Sequence, residues 1–97
     1  MKAFVIAAET VSDESMFAEY RKAVPPTLEA FGGRFVVRGG ALQRLEGDWP
    51  HARLVVLEFP SREAADGWYR SAAYQKIIGL RLGSAITNLI IAEGQVD

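Results

Sequence analysis

Phe4-Val5-Ile6-Ala7-Ala8, Leu54-Val55-Val56-Leu57 and Leu89-Ile90-Ile91-Ala92 are apolar on both sides of an extended chain. Short runs rich in β-branched residues read as strands covered on both faces. Between them the period changes. Phe17, Tyr20, Val24, Leu28 and Phe31 recur at three- and four-residue steps, the apolar stripe of an amphipathic helix. Ser12 is its expected N-cap, with Asp13 and Glu14 in the first turn, where the helix dipole favours negative charge. Pro25 and Pro26 interrupt the stripe without shifting its phase. Proline lacks an amide donor and disfavours helical geometry at the residue before it. The pattern therefore predicts two helical pieces meeting at a kink.

Gly32-Gly33 ends this helix, since glycine tolerates positive φ. Arg34 to Val37 reads as strand two, and the pattern allows it to resume after Gly39-Gly40 as far as Arg44. Glu46-Gly47-Asp48 supplies turn chemistry. Arg53 to Phe59 is strand three. Pro60 stops it, and Ser61 caps a helix with Ala65, Trp68 and Tyr69 on its apolar side. Ser71 to Leu82 reads as a further helix carrying Tyr74, Ile77, Ile78 and Arg81, with Gly83 as its stop. Ile86 to Glu93 is strand four, and the residues after Gly94 are expected to fray. The order β-α-β-β-α-β implies the ferredoxin-like arrangement of the α+β class, a four-stranded antiparallel sheet with helices on one face. Residues 1–97 suit a single domain.

Helices on one face leave the other uncovered. Strands apolar on both sides would then expose a patch larger than a monomer tolerates. The expected solution is a homodimer that packs sheet on sheet about a two-fold axis. On strand three, Val55, Leu57 and Phe59 suit the helix side, and Leu54, Val56 and Glu58 the other. A covered carboxylate must be paired or it holds a proton. Glu58 is thus both a candidate ion-pair partner, for Arg38 or Arg81, and the candidate catalytic residue. Arg34 and Arg38 share strand parity and are expected on one face.

Composition narrows the function classes. Eleven basic and twelve acidic residues leave a net charge of −1, too little field for nucleic acid or an anionic membrane. The chain has no cysteine, so disulfide and thiolate chemistry are excluded. The apolar run at the start is ended by Glu9 and is too short for a secretion signal, and no run approaches a membrane span. A cytoplasmic protein is expected. His51 is the one histidine; with no second ligand cluster in the sequence, neither a metal nor another cofactor is expected. The Gly32–Gly40 segment lacks the Gly-Lys-Ser/Thr ending of a phosphate loop. Trp68, Tyr69, Tyr74 and Tyr20 combine apolar area with polar tips, which serves a core or a ligand pocket equally. Ser71 stands between two helical pieces and is expected to cap.

In combination, Tyr20, Gly32-Gly33-Arg34-Phe35, Arg38-Gly39-Gly40, Glu46-Gly47-Asp48-Trp49, Glu58-Phe59-Pro60-Ser61, Ala65, Trp68-Tyr69, Ser71, Tyr74-Gln75, Arg81 and Glu93-Gly94 resemble one family. It is the family called domain of unknown function 1330, small proteins of the dimeric α+β barrel superfamily. The resemblance covers almost the whole chain. It implies a ferredoxin-like protomer, a sheet-to-sheet dimer and a site in the cleft between sheet and helices. It implies no activity. In that cleft Tyr20, Arg38, Trp68, Tyr69, Ser71, Tyr74 and Arg81 are the candidate ligand-binding residues. Three functions stay open: binding of a small organic acid or aromatic metabolite, cofactor-independent proton-transfer, isomerase or monooxygenase-like catalysis with Glu58 and Arg38 or Arg81, and a structural dimer without a ligand.

Overall fold

The computed structural model describes residues 1–96; Asp97, in the tail expected to fray, lies outside them. Four strands, β1 (Ala3–Val11), β2 (Arg34–Arg38), β3 (Arg53–Phe59) and β4 (Ala85–Glu93), form one antiparallel sheet in the order β2-β3-β1-β4. Three α-helices, α1 (Glu14–Leu28), α2 (Arg62–Arg70) and α3 (Ala72–Leu82), complete the ferredoxin-like α+β fold. The helix-side face of the sheet carries the buried Ala3, Val5, Ala7, Leu57 and Phe59. Phe17, Val24 and Leu28 of α1, Ala65 and Trp68 of α2 and Tyr74 of α3 close over it. The parity read for β3 holds.

Helix α1 is capped by Asp13, whose carboxylate accepts from the amide of Met16 at 3.1 Å. The expected cap, Ser12, instead donates its amide and its hydroxyl to the carbonyl of Ser84. Nor does α1 break at the prolines. It runs through both to Leu28, and a 3₁₀ turn at Glu29–Phe31 follows. Pro25 offers no amide to the carbonyl four residues back, that of Arg21. Arg38 fills the gap: its Nη2 donates to that carbonyl at 2.9 Å. Gly32, at φ 68°, ends the segment in the left-handed region, as expected.

Strand β2 stops at Arg38 and does not resume. Residues 39–52 lack regular secondary structure and form an exposed arm displaying Leu42, Leu45 and Trp49. His51, at its end, is hydrogen-bonded to Thr10 at 2.8 Å and Asn88 at 3.1 Å. Pairing between β2 and β3 shifts register between Phe35 and Val37. One extra residue in a strand reverses the side on which later residues emerge. Arg34 therefore sits opposite Glu58 on the open face, while Arg38 sits opposite Val55 on the helix side. The expectation that both arginines share a face fails for this reason.

The open face is apolar through its centre. Phe4, Ile6, Leu54, Val56 and Ile90 share it by register, and Ile86 and Ile90 are 70% and 58% exposed. At one margin Glu58 takes an ion pair from Arg34 Nε at 2.7 Å and another from Lys2 at 3.5 Å. The accessible surface is 6265 Å², against about 5,500 Å² for a compact monomer of this length. Among the described residues no helix is long and apolar enough to cross a membrane.

Candidate functional site

Period two along β1 places Glu9 in line with Ala3, Val5 and Ala7 on the helix side. It is only 2% exposed. A carboxylate there needs a cation, and the residue facing it across β3 is Arg53. Arg53 Nε donates to Glu9 Oε1 at 3.2 Å. The guanidinium reaches this position because Gly39 has no side chain: a Cβ there would stand 2.1 Å from Arg53 Nη1. Gly39 also sits at φ 70°, where a side chain is strained. On its other side Arg53 lies over the Phe17 ring, 5.2 Å from the centroid.

A second chain of polar groups comes from the helices. Tyr20 on α1 and Tyr74 on α3 share a hydrogen bond between hydroxyls at 2.8 Å. Arg81, about two turns further along α3, donates from Nε to the Tyr74 hydroxyl at 3.2 Å and is 5% exposed. The Trp68 ring lies 4.2 Å from that of Tyr74, and its Nε1 donates to Thr27 at 2.9 Å. These groups meet Arg38, which also stacks on Phe35 at 4.0 Å.

Together Glu9, Tyr20, Arg38, Arg53, Trp68, Tyr74 and Arg81 line a cavity of about 40 Å³ between sheet and helices. By itself it holds a few waters or one small polar group. Arg21, Arg38 and Arg53 also line a recess of about 380 Å³ on the outer side, together with Ala18, Lys22 and Pro25. The three arginines thus stand between an inner chamber and an open one. The recess falls within the size range of small-molecule sites.

Burial sets the proton affinities. It pushes the Glu9 carboxyl above the ordinary glutamate value, against the opposing pull of Arg53 and Arg81. It pushes the Tyr20 phenol far up as well, reinforced by Tyr74. For Arg81 burial works downward, but Tyr74 and Tyr20 outweigh it, so the net shift is upward and the guanidinium stays charged. The cleft therefore offers hydroxyl groups, at least two fixed cations and one buried carboxyl whose proton affinity is raised. Thr87, the residue facing Glu9 on β4, has a buried hydroxyl without a hydrogen-bond partner among the described residues.

The family model Domain of unknown function (DUF1330) matches residues 2–95. The chain belongs to this family. No curated protein matches the sequence. Among solved structures, the chain resembles RPA0582, a protein of unknown function from Rhodopseudomonas palustris. The two are 17% identical over 99% of this chain and 84% of that one, with a TM-score of 0.80. It resembles SnoaB, a cofactor-independent oxygenase from Streptomyces nogalater, at 10% identity over 99% and 95% of the chains and a TM-score of 0.69. A dimeric ferredoxin-like protein of unknown function from Jannaschia sp. CCS1 is 14% identical over 97% and 100%, with a TM-score of 0.66. These likenesses show the fold alone, the ferredoxin-like one.

Within this DUF1330 chain the cleft gathers five of the residues singled out from sequence: Tyr20, Arg38, Trp68, Tyr74 and Arg81. Tyr69 packs beside Tyr74, 5.7 Å between ring centroids, but does not line the cavity. Ser71 does not line it either. Its hydroxyl donates to the Trp68 carbonyl at 2.7 Å and accepts from the Tyr74 amide at 3.2 Å, capping α3 as expected. Glu58 lies on the opposite face of the sheet. Its partners are Arg34 and Lys2, not Arg38 or Arg81, and Arg34 holds its carboxyl below the ordinary range. Glu9 was not singled out from sequence, and Arg53, an arginine able to hold an anion but expected at the solvated surface, lies in the cleft. Ending strand one at Ala8 hid the parity that carries Glu9 into the cleft, and Arg53 had no visible partner without it. Among the described residues no group of three or more metal-binding side chains assembles.

Proposed function

We propose that the protein is a cytoplasmic homodimer that binds a small organic acid or aromatic metabolite in the cleft between sheet and helices, within a single domain. One observation carries the binding reading. Charged and hydroxyl side chains of β1, β3, α1 and α3 converge on a cavity instead of on each other alone. A purely structural core of this size would be filled by apolar side chains, because buried polar groups cost free energy unless paired. Tyr20, Arg38, Trp68, Tyr74 and Arg81 form the ligand wall, with Glu9 and Arg53 added to it. Tyr69 and Ser71 support Tyr74 from behind.

The dimer reading rests on the open face. It is apolar through its centre, and Ile86 and Ile90 on it are 70% and 58% exposed, more than a monomer usually leaves in water. The arm residues Leu42, Leu45 and Trp49 add apolar area, and a structural neighbour is described as dimeric. A thermal-shift screen of organic acids and aromatic metabolites tests binding. At least one compound should raise the melting temperature, and Tyr74→Phe should weaken that shift. A screen in which every stabilising compound acts equally on Tyr74→Phe and Arg38→Ala removes the cleft from the reading.

A second reading, cofactor-independent proton-transfer catalysis, is favoured by Glu9. It is the carboxyl on the cavity wall, and burial raises its proton affinity, the direction in which a general base is tuned. In this reading Glu9 takes the place given from sequence to Glu58, and Arg81 with Tyr74 steadies the developing anion.

A further inference from the structure

The charges of the cleft do not balance. One carboxyl, Glu9, lines the inner cavity, against the guanidinium groups of Arg21, Arg38, Arg53 and Arg81. Arg53 is matched to Glu9. The side-chain hydrogen bond of Arg81 among the described residues runs from Nε to a neutral tyrosine, and that of Arg38 runs to a backbone carbonyl. Neither interaction supplies a negative charge. The recess outside repeats the pattern: Arg21, Lys22, Arg38 and Arg53 line it, and no carboxylate does. Arg81 is buried, and it shares the charge of Glu9 with Arg53; Arg21 and Arg38 stand exposed at the opening, and a fork of N–H donors is matched best by a planar carboxylate.

We propose that the ligand of this cleft is a carboxylate carrying a second oxygen function, with the carboxylate held at Arg38 and Arg53 where recess meets cavity. Its second oxygen, a carbonyl or hydroxyl, points inward to the Tyr20–Tyr74–Arg81 chain. Arg21 and Lys22 at the outer rim raise the local concentration of anions and speed entry. This assignment rests on the cleft-binding reading and narrows it from metabolites in general to organic anions.

The test uses matched acid and amide pairs that keep the second oxygen, mandelate with mandelamide and pyruvate with pyruvamide. Binding is read from Trp68 fluorescence in a Trp49→Phe background, because Trp68 lines the cavity and Trp49 is exposed. An acid of at least one pair should bind, its amide about tenfold more weakly or worse. Acid affinity should fall as salt rises. Arg38→Gln should weaken the acid about tenfold and leave the amide unchanged, while Arg38→Lys recovers part of the loss. Lys22→Gln, at the exposed rim, should flatten the salt dependence without disturbing the fold. Amides that bind as tightly as acids overturn the anion assignment and leave the cleft reading standing. Acid binding indifferent to both Arg38→Gln and Lys22→Gln overturns the proposed seat. No binding by either member of both pairs at about 10 mM, a limit near 3 kcal/mol, counts against the cleft reading itself.

Discussion

Gly39→Ala is a single methyl group placed where two costs meet. The backbone at Gly39 has φ 70°, and an L-residue forced there loses about 1–2 kcal/mol. The new Cβ would also stand 2.1 Å from Arg53 Nη1 and 2.7 Å from Arg53 Cζ. The guanidinium ends a flexible side chain and can swing away, so the clash itself is avoidable. What it leaves behind is the 3.2 Å bond to buried Glu9, a charge-assisted contact of about 1.5–3 kcal/mol. Together the two terms predict a loss of about 2.5–5 kcal/mol, a large part of the ~5–15 kcal/mol that a folded domain commands. Gly40→Ala is the control. A Cβ there meets nothing within 4 Å and φ is not positive, so stability should change by less than about 0.5 kcal/mol. Urea denaturation followed by circular dichroism supplies the numbers. The decisive comparison repeats Gly39→Ala in an Arg53→Ala background, where only the backbone term of about 1–2 kcal/mol should remain. If Gly39→Ala costs the same in both backgrounds, or no more than Gly40→Ala, the argument that Gly39 makes room for the Glu9–Arg53 pair is wrong.

Three further outcomes are expected. Glu9 has a carboxyl pKa raised above 4.5 by burial, so its contribution is fully present below that value and fades as pH rises through the higher folded-state pKa. The stability of wild type relative to Glu9→Gln should therefore fall as pH rises from about 4.5 towards neutrality, and a difference that grows over that interval contradicts the burial argument. Tyr74→Phe removes the acceptor of Arg81 Nε and the partner of the Tyr20 hydroxyl, which should cost about 2 kcal/mol in urea denaturation; a loss below about 0.5 kcal/mol shows that water replaces both bonds. Ile90→Glu sets a charge on the apolar open face, where Ile90 is 58% exposed, and should turn a dimer into a monomer by light scattering while helical circular dichroism persists; an unchanged mass removes that face from the interface.

The succession of elements along the chain and the helix-side parity of β3 were legible because both follow from local rules. Apolar runs between turn residues give strands, and alternation gives faces. Val55, Leu57 and Phe59 obeyed that alternation. Arg34 and Arg38 did not, because the bulge between Phe35 and Val37 carries no glycine or other sequence mark, and one inserted residue exchanges faces for all that follow. The same bulge explains why Glu58 found Arg34 instead of Arg38. Local rules also mispredicted α1. Proline signals a kink less strongly where another donor satisfies a carbonyl it abandons, and for Pro25 the donor to Arg21 comes from β2, a strand whose distance in sequence hides it. Arg38 thus has two duties at one position: it completes a helix from outside and faces the recess with its remaining donors. Glu9 shows the converse. It was legible by period two from Ala3, Val5 and Ala7, provided the strand was allowed to continue through a charged residue. A strand continues through a charge when a partner waits across the sheet, and the pairing of Glu9 with Arg53 was the one long-range fact that made the cleft a charged site instead of an apolar core.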